Sequence, residues 1–124
     1  MSLLLDTHVV LWWLLDDATL SEEMKARLDD DPDVWVSPVT VWEVATKESI
    51  GKLEGPQGLS EEIAQSGFRP LPVTFTHAVA VGRLPLLHRD PFDRMLIAQA
   101  RCEGLTLVTR DRQIHRYEVD VLKV

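Results

Sequence analysis

Four acidic residues far apart in the chain carry the oxygen ligands that hard divalent cations prefer: Asp6, Glu43, Asp93 and Asp111. Asp6 follows the apolar run Leu3–Leu5, and Asp111 follows the apolar run 105–109, so both come at the end of a predicted strand. Ligands bind outside the carboxyl ends of the strands in open parallel sheets. The sequence therefore predicts that the four acids converge there as a magnesium site. The alternatives are a helix N-cap for Asp6 and a turn residue for Asp111.

Glu43 is the acid whose neighbours in the sequence give the weakest reason for a charged side chain. It lies in a predicted helix, among Val39, Trp42 and Val44, that is apolar on nearly every side. A buried carboxylate is costly unless it is paired or binds a metal. The alternative is an i,i+4 ion pair with Lys47, but such a pair needs a solvated face. We therefore interpret Glu43 as a metal ligand.

Asp90 and Asp93 flank the start of a later predicted helix. With Pro91 at the first helical position, Asp90 becomes the N-cap and Asp93 the third helical residue. Both would complement the helix dipole, which is their ordinary explanation. Capping uses the side chain of Asp90 but leaves that of Asp93 free, so Asp93 is the predicted ligand.

Composition narrows the chemistry further. The four histidines share no ligand spacing and Cys102 is the single cysteine, so we expect neither a zinc site nor a disulfide. No run approaches the roughly 20 apolar residues that cross a bilayer. We therefore expect a cytoplasmic protein with no membrane partner. The net charge is −7, divided as −9 over residues 1–82 and +2 over 83–124. Nonspecific binding to nucleic acid should thus be weak.

Apolar runs that alternate with helical segments predict the scaffold that positions the acids. The predicted strands are 3–5, 34–37, 105–109 and 119–124, with an edge strand at 68–73, and the predicted helices are 7–15, 21–28, 38–50, 59–65, 77–84 and 92–103. This alternation predicts an α/β fold, a three-layer α/β/α sandwich around a mostly parallel sheet. With no internal repeat or linker, we predict one domain over residues 1–124.

Four segments resemble, in order, the motifs of the PIN-domain family. They are residues 3–8, 37–45, 90–100 and 107–111, and each contains one of the four acids. The resemblance implies the PIN fold, Mg²⁺ or Mn²⁺ as the cofactor, and ribonuclease activity. It also implies that Asp6, Glu43, Asp93 and Asp111 are the catalytic metal ligands. The short single-domain form resembles the toxin of a VapBC-type toxin–antitoxin pair.

The resemblance further implies phosphodiester hydrolysis by a metal-activated water, with a second set of residues in support. The predicted supporting residues are Asp90 beside the ligands, Thr7 and Thr109 holding water or phosphate, and Arg94, Arg110 and Arg112 contacting phosphate. Some family members have a further acid shortly after the fourth motif. Residues 113–115 of this chain contain none, so the number of metal ions stays open.

The implied partners are an RNA substrate, a cognate antitoxin and a second copy of the chain. Trp12 and Trp13 are about 100° apart on a predicted helix, so they cannot both face the sheet. We expect one of them at a surface groove beside the acids, where it could contact an antitoxin segment or form a homodimer. The sequence identifies neither the RNA that is cut nor the antitoxin.

Two other functions are compatible with a small domain that has an acidic pocket. A receiver-like phosphoacceptor domain has a similar size and an acidic Mg²⁺ pocket. It needs an aspartate after a mid-chain strand and a lysine after a late strand, whereas residues 55–75 lack aspartate and the late strand is followed by Arg110 and Asp111. The second alternative is a catalytically inactive PIN-fold binding module. The presence of all four acids argues against it.

Overall fold

The computed structural model describes residues 1–124 and contains one sheet of five strands. The strands are β1 (Leu3–Leu5), β2 (Val34–Val36), β3 (Arg69–Pro70), β4 (Thr106–Thr109) and β5 (Val121–Lys123). They lie in the order β3-β2-β1-β4-β5, and every neighbouring pair is parallel. The uniformly apolar β1 is therefore the central strand, and its three leucines are fully buried.

Helices cover both faces of this sheet. They are α1 (Thr7–Leu14), α2 (Glu22–Asp30), α3 (Pro38–Ser49), α4 (Leu59–Gln65), α5 (Phe75–Arg83) and α6 (Pro91–Glu103), and a single 3₁₀ turn spans Ile114–Arg116. Successive strand residues point to opposite faces. Leu3 and Leu5 pack in one core cluster with residues of α1 and α2, and Leu4 packs in another with residues of α6. The three-layer α/β/α prediction is confirmed. None of the helices is long and apolar enough to span a membrane.

The strand order also separates this fold from the receiver alternative. Receiver-type doubly wound domains have the strand order 2-1-3-4-5. Here β1 lies between β2 and β4, and β3 pairs only with β2, at the edge of the sheet. The receiver-like phosphoacceptor reading is therefore wrong.

Most helix bounds follow from capping residues that are visible in the sequence. Ser37 accepts a hydrogen bond from the backbone of Val39, and Pro38 opens α3. Gly104, with φ of 66°, ends α6 in the left-handed conformation that glycine adopts without strain. The exception is α5, which begins two residues before its predicted start at 77. Thr74 caps it together with the side chain of His77, and sequence patterns gave histidine no such role.

The tryptophan prediction is not borne out. Trp12 and Trp13 are both half-buried against the core cluster under α1 and α2. The ring of Trp13 lies 4.6 Å from that of Phe68, and the guanidinium of Arg110 lies 5.1 Å from the ring of Trp12. Residues distant in sequence thus cover both rings. The exposed tryptophan is instead Trp42, with 54% of its surface accessible.

Candidate active site

Three of the four predicted acids are buried at the carboxyl end of the sheet. Asp6 is 4%, Glu43 3% and Asp93 7% exposed, and Asp111 is half-buried. Asp6 and Asp111 follow the neighbouring strands β1 and β4, Glu43 lies on α3, and Asp93 lies in the first turn of α6. No three acidic, histidine or cysteine side chains are close enough together to hold a metal ion. The acids share one region, but they do not converge as closely as predicted.

The electrostatics of this acid cluster show how poorly its charge is compensated. Burial is the main cause that raises the pKa of Asp93 to about 8, and the charges of Asp6, Asp90, Asp111 and Glu43 add to it. Burial also raises the pKa of Asp6, although a hydrogen bond from Thr109 opposes the shift. A positive charge placed among buried carboxyl groups stabilises their ionised form. The cluster therefore has the charge of a cation site.

Glu43 makes the ion pair that the sequence offered as its alternative role, but the pair satisfies only half of the carboxylate. Lys47 donates from Nζ to Oε2 at 2.5 Å, and Oε1 is buried without any hydrogen-bond partner. The hydrogen bond to Glu43 is also the main cause that raises the pKa of Lys47, with Asp90 and Asp93 contributing. An orphaned buried carboxylate oxygen requires a partner that the chain itself does not supply.

Asp6 does not use its side chain as the helix cap that its position suggests. Its carboxylate makes no capping hydrogen bond to α1. Thr109, at the end of β4, instead donates its hydroxyl to Oδ2 of Asp6 at 2.7 Å. The same hydroxyl oxygen accepts the backbone N–H of Asp111 at 3.0 Å. Thr109 thus connects the first and the last predicted motif.

Asp111 and Asp90 are engaged with the backbone. Oδ1 of Asp111 accepts the N–H of Gln113 at 2.8 Å, which is the turn role named as its alternative. Oδ1 of Asp90 accepts the N–H groups of Phe92 and Asp93 at 2.9 and 3.1 Å. Asp90 is therefore the N-cap of α6. Both acids remain part of the cluster through the pKa of Asp93, which they raise.

Sequence patterns missed His88, which contacts Asp93, and Tyr117, which contacts His88. Nε2 of His88 lies 3.2 Å from Oδ2 of Asp93, and Nδ1 lies 2.8 Å from the hydroxyl of Tyr117. His88 lies in the loop before α6, whereas Tyr117 follows the 3₁₀ turn near the end of the chain. No local spacing connects residues 29 positions apart, so the sequence held no signal for this contact.

Two of the three predicted phosphate contacts bind the protein itself. The terminal nitrogens of Arg94 donate to the hydroxyl of Tyr117 and to backbone carbonyls between Val81 and Pro85. Arg110 donates to the carbonyls of Val124 and Thr19. Both arginines thus have protein partners, while Nε of Arg94 and Nη1 of Arg110 make no hydrogen bond. Their contacts with phosphate stay predictions. Arg112 is exposed and stays a predicted phosphate contact.

A cleft of about 360 Å³ opens beside Glu43 and brings positive charge to the edge of the acid cluster. Its lining consists of Thr7, His8, Leu11, Glu43, Lys47, Lys52 and Leu53. Thr7 is buried, and its hydroxyl lies 3.2 Å from that of Thr40, so Thr7 has a protein partner. Lys47 and Lys52 are the cations of the cleft, and neither was predicted as a phosphate contact. A larger cavity of about 610 Å³, between α5 and α6, contains none of the acids.

Comparison with known proteins relates this geometry to one family. The family model of the PIN domain matches residues 3–120. Ribonuclease VapC22 of Mycobacterium tuberculosis (strain ATCC 25618 / H37Rv) is 29% identical over 125 residues, covering 94% of this chain and 93% of that protein.

Solved structures extend the comparison to the fold. A chain in VapBC2 from Rickettsia felis, bound to a DNA fragment from their promoter, superposes with a TM-score of 0.72 at 14% identity, covering 99% of this chain and 98% of that one. A chain in a toxin-antitoxin complex from Klebsiella pneumoniae superposes with a TM-score of 0.66 at 21% identity, covering 98% and 97%. At these identities the superpositions establish a shared fold.

Proposed function

Since this chain belongs to the PIN-domain family, we propose that it is an endoribonuclease that hydrolyses RNA phosphodiester bonds with Mg²⁺ or Mn²⁺. The observation that carries the proposal is the buried acid cluster, in which Glu43 keeps one unpaired oxygen and the pKa of Asp93 rises to about 8. Such strongly perturbed acids in one region are typical of functional sites. The relative from Mycobacterium tuberculosis is a ribonuclease by name.

The residues that would hold the cation are Asp6, Glu43, Asp93 and Asp111. Their donor set consists only of carboxylates, which suits Mg²⁺ or Mn²⁺ better than zinc. When bound, the cation supplies Lewis acidity, which activates water for in-line attack and neutralises charge at the phosphate.

The remaining residues of the site orient the ligands and the substrate. Thr109 and Lys47 each hold one oxygen of a buried acid, Oδ2 of Asp6 and Oε2 of Glu43 respectively. Lys52 lines the cleft beside Glu43 and is exposed, so its ammonium is available to an RNA phosphate. Exposed Arg112 adds a second cation for the RNA backbone.

We extend the proposal to a role as the toxin of a toxin–antitoxin pair that acts in the cytoplasm. Its support is the fold shared with the Klebsiella pneumoniae toxin-antitoxin complex. The proposed partners are RNA as substrate, a cognate antitoxin and a second copy of the chain. Expression of this chain alone should arrest growth, and co-expression of the antitoxin from an adjacent gene should relieve it. Harmless expression of an RNA-cleaving protein would refute the toxin role and leave the nuclease proposal intact.

The nuclease proposal is tested by incubating the protein with RNA, with and without Mn²⁺. We expect cleavage only with the cation, and none by Asp6→Asn, whose far-UV circular dichroism should match that of the wild type. Wild-type activity in Asp6→Asn would refute the assigned site. A folded wild type that binds Mn²⁺ but leaves RNA intact would instead favour the catalytically inactive binding module.

A further inference from the structure

His88 touches the acid cluster from a loop that carries none of the predicted ligands. Its side chain is 12% exposed, and its two ring nitrogens contact different partners, Asp93 at 3.2 Å and Tyr117 at 2.8 Å. It lies in the loop between α5 and α6, within the segment 84–90. A histidine with both nitrogens engaged has a fixed ring orientation, and its tautomer depends on what each partner donates.

The hydroxyl of Tyr117 settles that tautomer. It accepts the backbone N–H of His88 at 3.2 Å and a guanidinium N–H of Arg94 at 3.0 Å. Both are obligate donors, so the single hydroxyl hydrogen is left for Nδ1 of His88. Nδ1 then accepts, and the neutral ring carries its hydrogen on Nε2. His88 therefore donates to Oδ2 of Asp93.

Arg94 makes this arrangement rigid. Its Nη1 donates to the carbonyl of Pro85 at 2.9 Å, and its Nη2 to those of Val81 and Leu84 at 3.3 and 3.4 Å. Arg94 lies one residue after Asp93 on α6, and the carbonyls belong to the end of α5 and the loop that carries His88. One guanidinium thus fixes Tyr117, the loop and the start of α6 relative to one another.

The contact leaves one oxygen of Asp93 free. Oδ2 is held by His88, and Oδ1 makes no hydrogen bond, as Oε1 of Glu43 makes none while Lys47 holds Oε2. We propose that His88 is a positioning residue, which holds one oxygen of Asp93 and directs the other toward a divalent cation. The proposal rests on the proposed metal site. Groups that hydrogen-bond to metal ligands orient them in this way, and losing one typically weakens metal binding about 10- to 100-fold.

The test uses two amide substitutions that differ only in length. The amide nitrogen of His88→Gln reaches the position of Nε2, whereas that of His88→Asn reaches only the position of Nδ1. The dissociation constant for Mn²⁺ is measured by calorimetry on the full chain without RNA. We expect His88→Asn to weaken binding by roughly 10-fold or more, and His88→Gln to restore most of it. Tyr117→Phe, which frees the tautomer, should weaken binding less than His88→Asn.

The possible results separate a failure of the positioning proposal from a failure of the proposed metal site. If the wild type binds Mn²⁺ and both His88 variants bind it equally well, the positioning proposal is overturned and the metal site stands. An equal loss in Gln and Asn variants would indicate a general packing role and would also overturn it. If the wild type itself binds no Mn²⁺, the proposed metal dependence fails together with the positioning proposal.

Discussion

Lys25 and Glu43 are both buried charged residues, and the protein compensates them in opposite ways. Lys25 is 7% exposed and donates to two carboxylates, Asp16 at 2.8 Å and Glu22 at 3.0 Å. Both acids are largely exposed to solvent, so they are easily solvated. Glu43 is 3% exposed and has only Lys47, which also lies in the field of Asp90 and Asp93.

The difference separates a structural ion cluster from the proposed cation site. Around Lys25 the opposite charge is in excess, so no buried charge is left without a partner. In the acid cluster the like charges are in excess, and one buried oxygen remains orphaned. An uncompensated buried charge costs free energy that other interactions must offset. Buried acids with strongly perturbed pKa values are candidates for a functional site, where a bound ligand provides the missing charge.

The largest expected effect is on the rate of RNA cleavage, when one carboxylate is removed from the acid cluster and, as a control, one from the Lys25 cluster. Asp93→Asn should lower the Mn²⁺-dependent rate by roughly 100-fold or more, because groups that merely orient a ligand are already worth about 10- to 100-fold. Asp16→Asn should leave the rate unchanged. It is a fair control, since asparagine tolerates the positive φ of 50° at this position. Equal rates for the two variants would show that the acid cluster matters no more to catalysis than the Lys25 cluster.

Mn²⁺ should stabilise the protein through the acid cluster alone. A cation present at about 100 times its dissociation constant stabilises the folded state by about 2.7 kcal/mol. We expect scanning calorimetry to show a melting temperature several degrees higher for the wild type, and a much smaller rise for Glu43→Gln. Glu22→Gln, in the Lys25 cluster, should show the full rise. A full rise in Glu43→Gln would mean that Glu43 serves only as the partner of Lys47.

Without a cation, the stability should fall as the pH rises. The pKa of Asp93 moves from 3.8 to about 8, so between these values the folded chain binds more protons than the unfolded chain. The free energy of unfolding therefore decreases from about pH 4 to about pH 8. Urea titrations across this range should show the slope in the wild type and a shallower one in Asp93→Asn. A slope unchanged in Asp93→Asn would place its origin in another group.

The smallest effect should come from Asp90→Asn. The structural role of Asp90 is the N-cap of α6, and asparagine caps a helix as well as aspartate does. Its charge contributes to the pKa of Asp93, but the main cause of that shift is burial. We expect the melting temperature and the rate of RNA cleavage to remain close to those of the wild type. A rate as low as that of Asp93→Asn would show that Asp90 binds the cation itself.

The sequence predicted those parts of the fold that depend on local signals. The apolar run Leu3–Leu5, the Ser37-Pro38 start of α3 and the glycine after α6 each act within a few residues, and their elements are confirmed. The start of α5 was misplaced because a histidine completes its cap. The 3₁₀ turn at Ile114–Arg116 was not predicted.

The sequence singled out the acids and the nearby partner of Glu43, Lys47, but not the partners that are distant in the chain. Asp90 was correctly read as a cap because its partners are two and three residues away. Arg94 and Arg110 were predicted to contact phosphate. Their carbonyl partners lie 9 to 91 positions away, so no local pattern indicated that these side chains bind the protein. His88 was passed over for the same reason, with Tyr117 29 positions distant. Long-range side-chain contacts depend on the completed packing, which no local pattern encodes.

The hydrogen bond between Thr109 and Asp6 joins residues 103 positions apart, and it has a consequence for the order of events during translation. β1 is synthesised well before its neighbour β4, because Leu3 of β1 pairs with Thr106 of β4. Chains grow at about 5 to 20 residues per second, so β1 waits several seconds with one edge unpaired. Asp93 and Asp111 are also late residues. A nascent chain of the proposed nuclease therefore carries no complete site until Asp111 has been added.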